Sequence, residues 1–386
     1  MNFDFHQPVE RRGTSCVKWD SADRVFKGTD LLPMWIADMD FPTAPAIQQQ
    51  LHSRVEQGIF GYGILPPEYY QTVAGWMRRR HGCEVKPEWI TYTAGVVPAL
   101  NYAVQAATQP GDEVMLNTPI YHPFYQAVEE QGRTLVKSPL REKDLYYTFD
   151  FEDMERRVTE RTKAFLLCSP HNPVGRVWKR EELEQLADFC LRHHLTVIAD
   201  EIHHDLVFEE HTMFLNISPE IARQTVLCTA PSKTFNLAGI QIGNAIIPDD
   251  ELRKRFKGLV VKAHAFSANS FVAPAVIGAY GQSEEWLDQL IAYLKGNMEL
   301  FCSAIESELP RLRVRKPEGT YLAWVDCSGL GLSPDGLKRF LVEKCRLALS
   351  DGAGFGDGGE QFARFNLACP RSTVQECIRR LRAGCR

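Results

Sequence analysis

Seven short apolar runs punctuate the middle of the chain: WITYT at 89–93, EVML at 113–116, TLVK at 134–137, AFLLC at 164–168, TVIA at 196–199, VLCT at 226–229 and GNAII at 243–247. Each is the length of a buried strand and too short for a buried helix. Between them, apolar positions recur at helical spacing. Over 180–194, Leu183, Leu186, Ala187, Cys190 and Leu191 form one apolar face. Glu181, Glu182 and Glu184 stand near its start and Arg192, His193 and His194 near its end, the polarity a helix dipole favours. Strand and helix alternating at about 30-residue intervals predict an α/β fold built on a mostly parallel central sheet flanked by helices.

The ends read differently. Residues 1–45 are irregular and broken by proline (DLLPMWIADMDFPTAP, 30–45). A long helical stretch at 284–309 leads to TYLAWVD (320–326), a helix near 337–344 and QFARFNL (361–367). The expected organisation is a large domain over 46–283 and a smaller α+β domain made of 1–45 and 284–386. Composition does not disturb this picture, since 44% hydrophobic and 24% charged residues are ordinary for a globular protein. A net charge of −5 argues against nucleic acid or an anionic membrane surface as a partner. No apolar run approaches the ~20 residues that span a bilayer. The start, MNFDFHQPVERR, lacks the basic and apolar regions of a signal peptide. Eleven scattered cysteines with no CxxC pair read as reduced thiols, so a cytoplasmic protein is expected.

In open α/β sheets, ligands bind beyond the carboxyl ends of the strands. Four segments hold that position here. WITYT runs into Ala94-Gly95-Val96-Val97-Pro98 and a helical pattern, where free amides would hold an anion such as a phosphate. AFLLCSPHNPVG places Asn172 between Pro170 and Pro173. TVIADEIHHD ends an apolar strand at Asp200 and Glu201, where a desolvated carboxylate needs a cationic partner. VLCTAPSKTFNLAG sets Lys233 beside Ser232 just past a strand, where partial desolvation makes a lysine nucleophilic toward a carbonyl. Singly, each has a plain alternative: a strand–helix turn, a turn asparagine, a capping aspartate, a surface lysine. Together they can converge on one sheet edge.

In order, SPHNPVG, ADEIH and SKTFNLAG resemble the fold type I pyridoxal-phosphate (PLP) enzymes of the aminotransferase class I/II superfamily, over essentially the whole chain. The resemblance implies that Lys233 forms the Schiff base with PLP, Asp200 pairs with the protonated pyridine nitrogen and Asn172 bonds the ring oxygen. It places the phosphate at Gly95, Val96 and Val97 with Ser232 beside it, and stacks Tyr121 on the ring. Arg364 in FARFNL matches the arginine that grips the substrate carboxylate. Tyr62 in FGYG matches a tyrosine contributed by the second subunit of a homodimer. LLPMWIADMDFPTAP, GYG and DEIHHDL resemble the cystathionine β-lyase branch of C–S lyases, which includes the maltose-regulon modulator. His203 stands where many aminotransferases have the tyrosine that bonds the ring oxygen. Gln241 replaces a phosphate-binding arginine, and Ala230 a serine. The reading is a PLP-dependent C–S β-lyase acting on L-cystathionine or related S-substituted cysteines, with Lys233, Asp200 and Tyr121 catalytic. An aminotransferase is the alternative, and a protein that binds a transcription regulator, with a regulatory partner, is the third.

Other signals are set aside. Gly354, Gly356 and Gly359 fit GxGxxG, but a strand-like segment follows where a dinucleotide site needs a helix. The histidines at 193, 194, 204 and 211 are read as surface or helix-end residues, with His203 the exception, and no metal-ligand spacing is present. Trp35 and Trp324 are candidates for lining the substrate site, with core packing the alternative.

Overall fold

Side chains alternate strictly along each central strand, which is how one sheet serves two cores. In the strand Thr162–Cys168, Phe165 and Leu167 join the core on one face, while Ala164 and Leu166 join that on the other. Val197 and Ala199 oppose Ile198 in the same way. The computed structural model describes residues 3–385. All seven apolar runs are strands of one sheet, in the order 90–93, 243–246, 225–229, 196–200, 162–168, 113–118, 134–139. Neighbours pair in parallel except Gly243–Ile246, which is antiparallel to both of its partners. A short apolar run carries no sign of strand direction, so this reversal was not visible in the pattern.

The helix predicted at 180–194 runs Arg180–Arg192, and the long one runs Glu284–Glu308. The first half of that long helix, with Trp286, Leu287 and Leu290, packs into the main core. Its second half, with Met298, Phe301 and Ile305, packs under a four-stranded antiparallel sheet ordered 313–314, 322–326, 362–366, 350–351. The helix expected near 337–344 is an α-helical turn, Pro334–Arg339, continued by a π-helical turn, Phe340–Lys344.

The N-terminal segment, with short helices Val17–Asp20 and Ala22–Phe26, folds on itself and also lies against the small sheet. Leu32–Pro33 pairs in parallel with Leu347–Ala348. Asn366 Nδ2 donates to the carbonyls of Ile36 and Asp38, both at 2.6 Å. Buried Asp40 accepts from Arg11 at 2.7 Å, Lys18 at 2.8 Å and Trp19 at 2.9 Å, giving an otherwise costly carboxylate three donors. These bonds carry residues 35–38 past the carboxyl edge of the large sheet.

Candidate active site

Six of the seven strands run the same way and end on that edge, and residues just beyond five of them line a cavity of about 400 Å³. Gly95 precedes the helix Val96–Ala107 with φ +124°, a conformation side-chain-bearing residues avoid. Gly243 sits against it, and a Cβ there would fall 2.5 Å from the Gly95 carbonyl carbon. Two backbones thus approach closely to leave the amides at the helix start bordering open space, a position suited to an anion.

Lys233 lies on the short helical turn Pro231–Thr234, and its Nζ donates to the Ala37 carbonyl at 2.7 Å. That carbonyl also accepts from Tyr321 Oη at 2.9 Å. Burial and the positive Arg364 lower the Lys233 pKa to about 8, against the smaller opposing pulls of Asp38 and Asp200. Asp200 ends its strand and accepts from the Ile202 amide at 3.0 Å. Burial raises its pKa to about 7, although that bond and Lys233 both favour the charged form. A buried carboxylate in that condition is built to receive a further cation. Adjacent Glu201 turns the other way, to His211 at 2.9 Å and the Phe214 amide at 2.8 Å.

Arg364, on the strand Phe362–Asn366, reaches the same cavity from the small sheet. It donates to Asn172 Oδ1 at 2.9 Å, the Trp35 carbonyl at 3.0 Å and Ser350 Oγ at 3.1 Å, and lies 4.8 Å over the Phe355 ring. Burial lowers its pKa to about 10, so it stays charged at neutral pH. Among the described residues its Nε is buried without a hydrogen-bond partner, as is Nδ1 of His203. Burial together with Lys233 and Arg364 pushes the His203 pKa well down, which keeps its imidazole neutral.

Of the residues singled out in the sequence, Trp35, Gly95, Val96, Val97, Tyr121, Asn172, Asp200, His203, Ser232, Lys233, Gln241 and Arg364 all border this cavity. Tyr62 does not. It is fully exposed on the single chain, in a run with exposed Ile59, Phe60 and Ile64. Trp324 is core, stacked on Phe362 at 4.8 Å. The glycine-rich segment holds a 3₁₀ turn, Gly352–Phe355, and then a strand, so the dinucleotide pattern has no helix to serve. The histidine reading needs correction: His193 and His194 do end a helix, but the side chains of His204 and His211 are buried. Sequence reasoning missed the Ala37 carbonyl, Tyr321 and Ser350, which meet the site only in the fold, and His122, the neighbour of Tyr121.

The sequence profile described as aminotransferase class I and II matches residues 30–381. Cystathionine beta-lyase PatB of Bacillus subtilis (strain 168) is 44% identical over 387 aligned residues, covering 100% of both chains. Protein MalY of Escherichia coli (strain K12) is 34% identical over 97% of both. Among solved structures, cystalysin from Treponema denticola, which contains a pyridoxal 5'-phosphate cofactor, matches with a TM-score of 0.94. It is 37% identical, over 100% of this chain and 99% of that one.

Proposed function

The chain belongs to the class I and II aminotransferase family, and within it we propose a PLP-dependent C–S β-lyase that cleaves L-cystathionine or related S-substituted cysteines to a thiol, pyruvate and ammonia. The observation that carries the proposal is one cavity holding a lysine of lowered pKa, a buried carboxylate without a salt-bridge partner among the described residues, and a charged arginine. The end-to-end likeness to a cystathionine β-lyase selects the reaction.

The residues present fit the cofactor. The amides at Gly95–Val97 with Ser232 suit its phosphate, Lys233 its aldehyde and Asp200 its protonated ring nitrogen. Asn172 and His203 border the same space, and Tyr121 supplies an aromatic wall. Bound PLP supplies an electron sink for a carbanion at the substrate Cα. Arg364, which borders the cavity and stays charged, would hold the substrate carboxylate through its guanidinium. Lys233, as a free amine, would take the α-proton. Ionised Asp200 would pair with the ring nitrogen and keep it positive. Trp35 and Tyr121 shield the site from water, and Tyr121 assists proton transfer. With charge accumulated at Cα, the thiolate leaves from Cβ, and hydrolysis gives pyruvate and ammonia.

The same reading makes the protein a homodimer in which Tyr62 completes the partner's site; its full exposure on the single chain supports this. A cytoplasmic location belongs to the proposal too, supported by eleven free cysteines. No helix of the described residues is long and apolar enough to cross a membrane. A regulatory protein partner is not part of the proposal.

Replacing Arg364 with lysine keeps the charge and loses the planar fork. Losing one charge-assisted hydrogen bond, about 1.5–3 kcal/mol, predicts a roughly 10- to 150-fold fall in kcat/KM, measured by steady-state kinetics. An unchanged kcat/KM would mean that another group holds the carboxylate. The reaction type is tested by adding a keto acid to enzyme turning over L-cystathionine. Turnover should not accelerate, and the amino acid derived from the added keto acid should not accumulate; a requirement for the keto acid would make the protein an aminotransferase.

A further inference from the structure

Lys233 sits among residues anchored on two sides. Asn236 Nδ2 donates to the Met39 and Phe41 carbonyls, each at 2.9 Å, and its Oδ1 accepts from the Met39 amide at 3.0 Å. This ties the lysine turn to the segment whose Ala37 carbonyl receives Lys233 Nζ. The second anchor points into the interior: Thr234 Oγ1 donates to Asp205 Oδ2 at 2.8 Å.

Asp205 is fully buried and lies outside the cavity. Its Oδ1 also accepts from Trp76 Nε1 at 3.1 Å and faces His81 Nε2 at 2.7 Å, while His204 Nε2 stands 3.4 Å from Oδ2. Burial opposes its charge, but His204, His81 and Thr234 hold its pKa below the ordinary carboxylate value. Burial brings the His204 pKa down to about 4, so this ring is neutral near pH 7. His81, His204 and Asp205 each turn a ligand atom to within 4.8 Å of the others, the spacing of a metal site. The hydrogen bonds argue otherwise, because Trp76, His81 and Thr234 already occupy both carboxylate oxygens.

What that carboxylate connects is specific. Trp76 and His81 belong to the helix Pro67–His81, Thr234 follows the cofactor lysine, and Asp205 lies in the loop that follows Asp200 and carries His203. A single buried hub therefore fastens the turn bearing Lys233 to the loop that follows Asp200 and carries His203. We propose that Asp205, acting through Thr234, is a positioning residue that fixes Lys233 relative to Asp200 and so directs where the abstracted proton can be returned. This rests on Lys233 being the cofactor lysine and the base.

A looser Lys233 would return the proton more often to the cofactor carbon. In that side reaction the amino group stays on the cofactor, giving pyridoxamine phosphate, and the substrate leaves as a keto acid with its oxygen from water. The test compares Thr234→Val, which keeps volume and loses the hydroxyl, with Thr234→Ser, which keeps the hydroxyl. Thermal melting and circular dichroism monitor folding of both.

Thr234→Val should lower kcat by about 10- to 100-fold with KM within about 3-fold. It should also convert several-fold more cofactor to pyridoxamine phosphate per pyruvate formed, read by absorbance and chromatography of the released cofactor. Thr234→Ser should recover both values to within about 3-fold. Borohydride reduction separates the two levels of the claim. If the unaltered protein carries its label on another lysine, the reading of the site fails and the positioning claim with it. If Lys233 is labelled and Thr234→Val partitions like the unaltered protein, or Thr234→Ser is equally impaired, the positioning claim alone fails.

Discussion

Lys233→Ala is expected to leave a folded protein that binds PLP without a covalent bond and turns over S-substituted cysteines at least about 10²–10⁴-fold more slowly. Removing a general base accounts for that range, and among the described residues Lys233 is the only lysine lining the cavity. The lowered pKa supplies a further signature. With a pKa of about 8, about one Lys233 in ten is neutral at pH 7. At the ordinary lysine value of 10.5 the share would be about one in three thousand. The neutral amine is the form that attacks an aldehyde. The rate of PLP attachment to the cofactor-free chain should therefore rise with pH to a plateau with a midpoint near 8, followed by absorbance. A midpoint near 10.5, or a borohydride-fixed label on a different lysine, would remove Lys233 from its assigned place.

Asp200→Asn is expected to keep the fold and retain PLP on Lys233 while losing at least about 100-fold in kcat. Breaking a buried ion pair by removing one partner costs about 3–5 kcal/mol, and here that partner stabilises the positive ring nitrogen on which the electron sink depends. The direction with pH follows from the same burial. In the cofactor-free chain Asp200 has a pKa of about 7, raised by desolvation, so half the molecules are protonated there at that pH. Only the ionised form pairs with a cation. Cofactor affinity should weaken as pH falls through about 7 and strengthen above it, and Asp200→Asn should lose this dependence. Near-normal turnover in the variant, or an unaltered pH dependence of PLP affinity, would remove the ion-pair argument.

The parts of this site legible in the sequence are those that physics confines to short local patterns. An apolar run ending in Asp200, a lysine just past the Thr225–Thr229 strand and a glycine before a helix each declare a strand's carboxyl end, so the central sheet and its edge could be laid out before any contact was known. The reversed strand Gly243–Ile246 was illegible because burial on both faces removes the polar alternation that separates strand environments. His204 escaped for a different reason. It stands between His203 and Asp205 in a polar-looking stretch, and the residue that helps bury it, His81, lies on a helix more than a hundred residues earlier, with ring centroids 4.6 Å apart. Ala37 contributes only a carbonyl, which no side-chain pattern can announce. Arg364 was found through the motif around it; its bond to Asn172 joins residues 192 positions apart.

The central claim is that charge built at the substrate Cα is discharged by expelling sulfur from Cβ. Purified protein reconstituted with PLP should be given L-cystathionine with no keto acid present, and pyruvate, ammonia and homocysteine should be measured over many turnovers. The account predicts the three products in equal amounts, continuing well past one equivalent of enzyme. A burst that stops near one equivalent, with the cofactor recovered as pyridoxamine phosphate and the carbon–sulfur bond intact in the keto product, would contradict it.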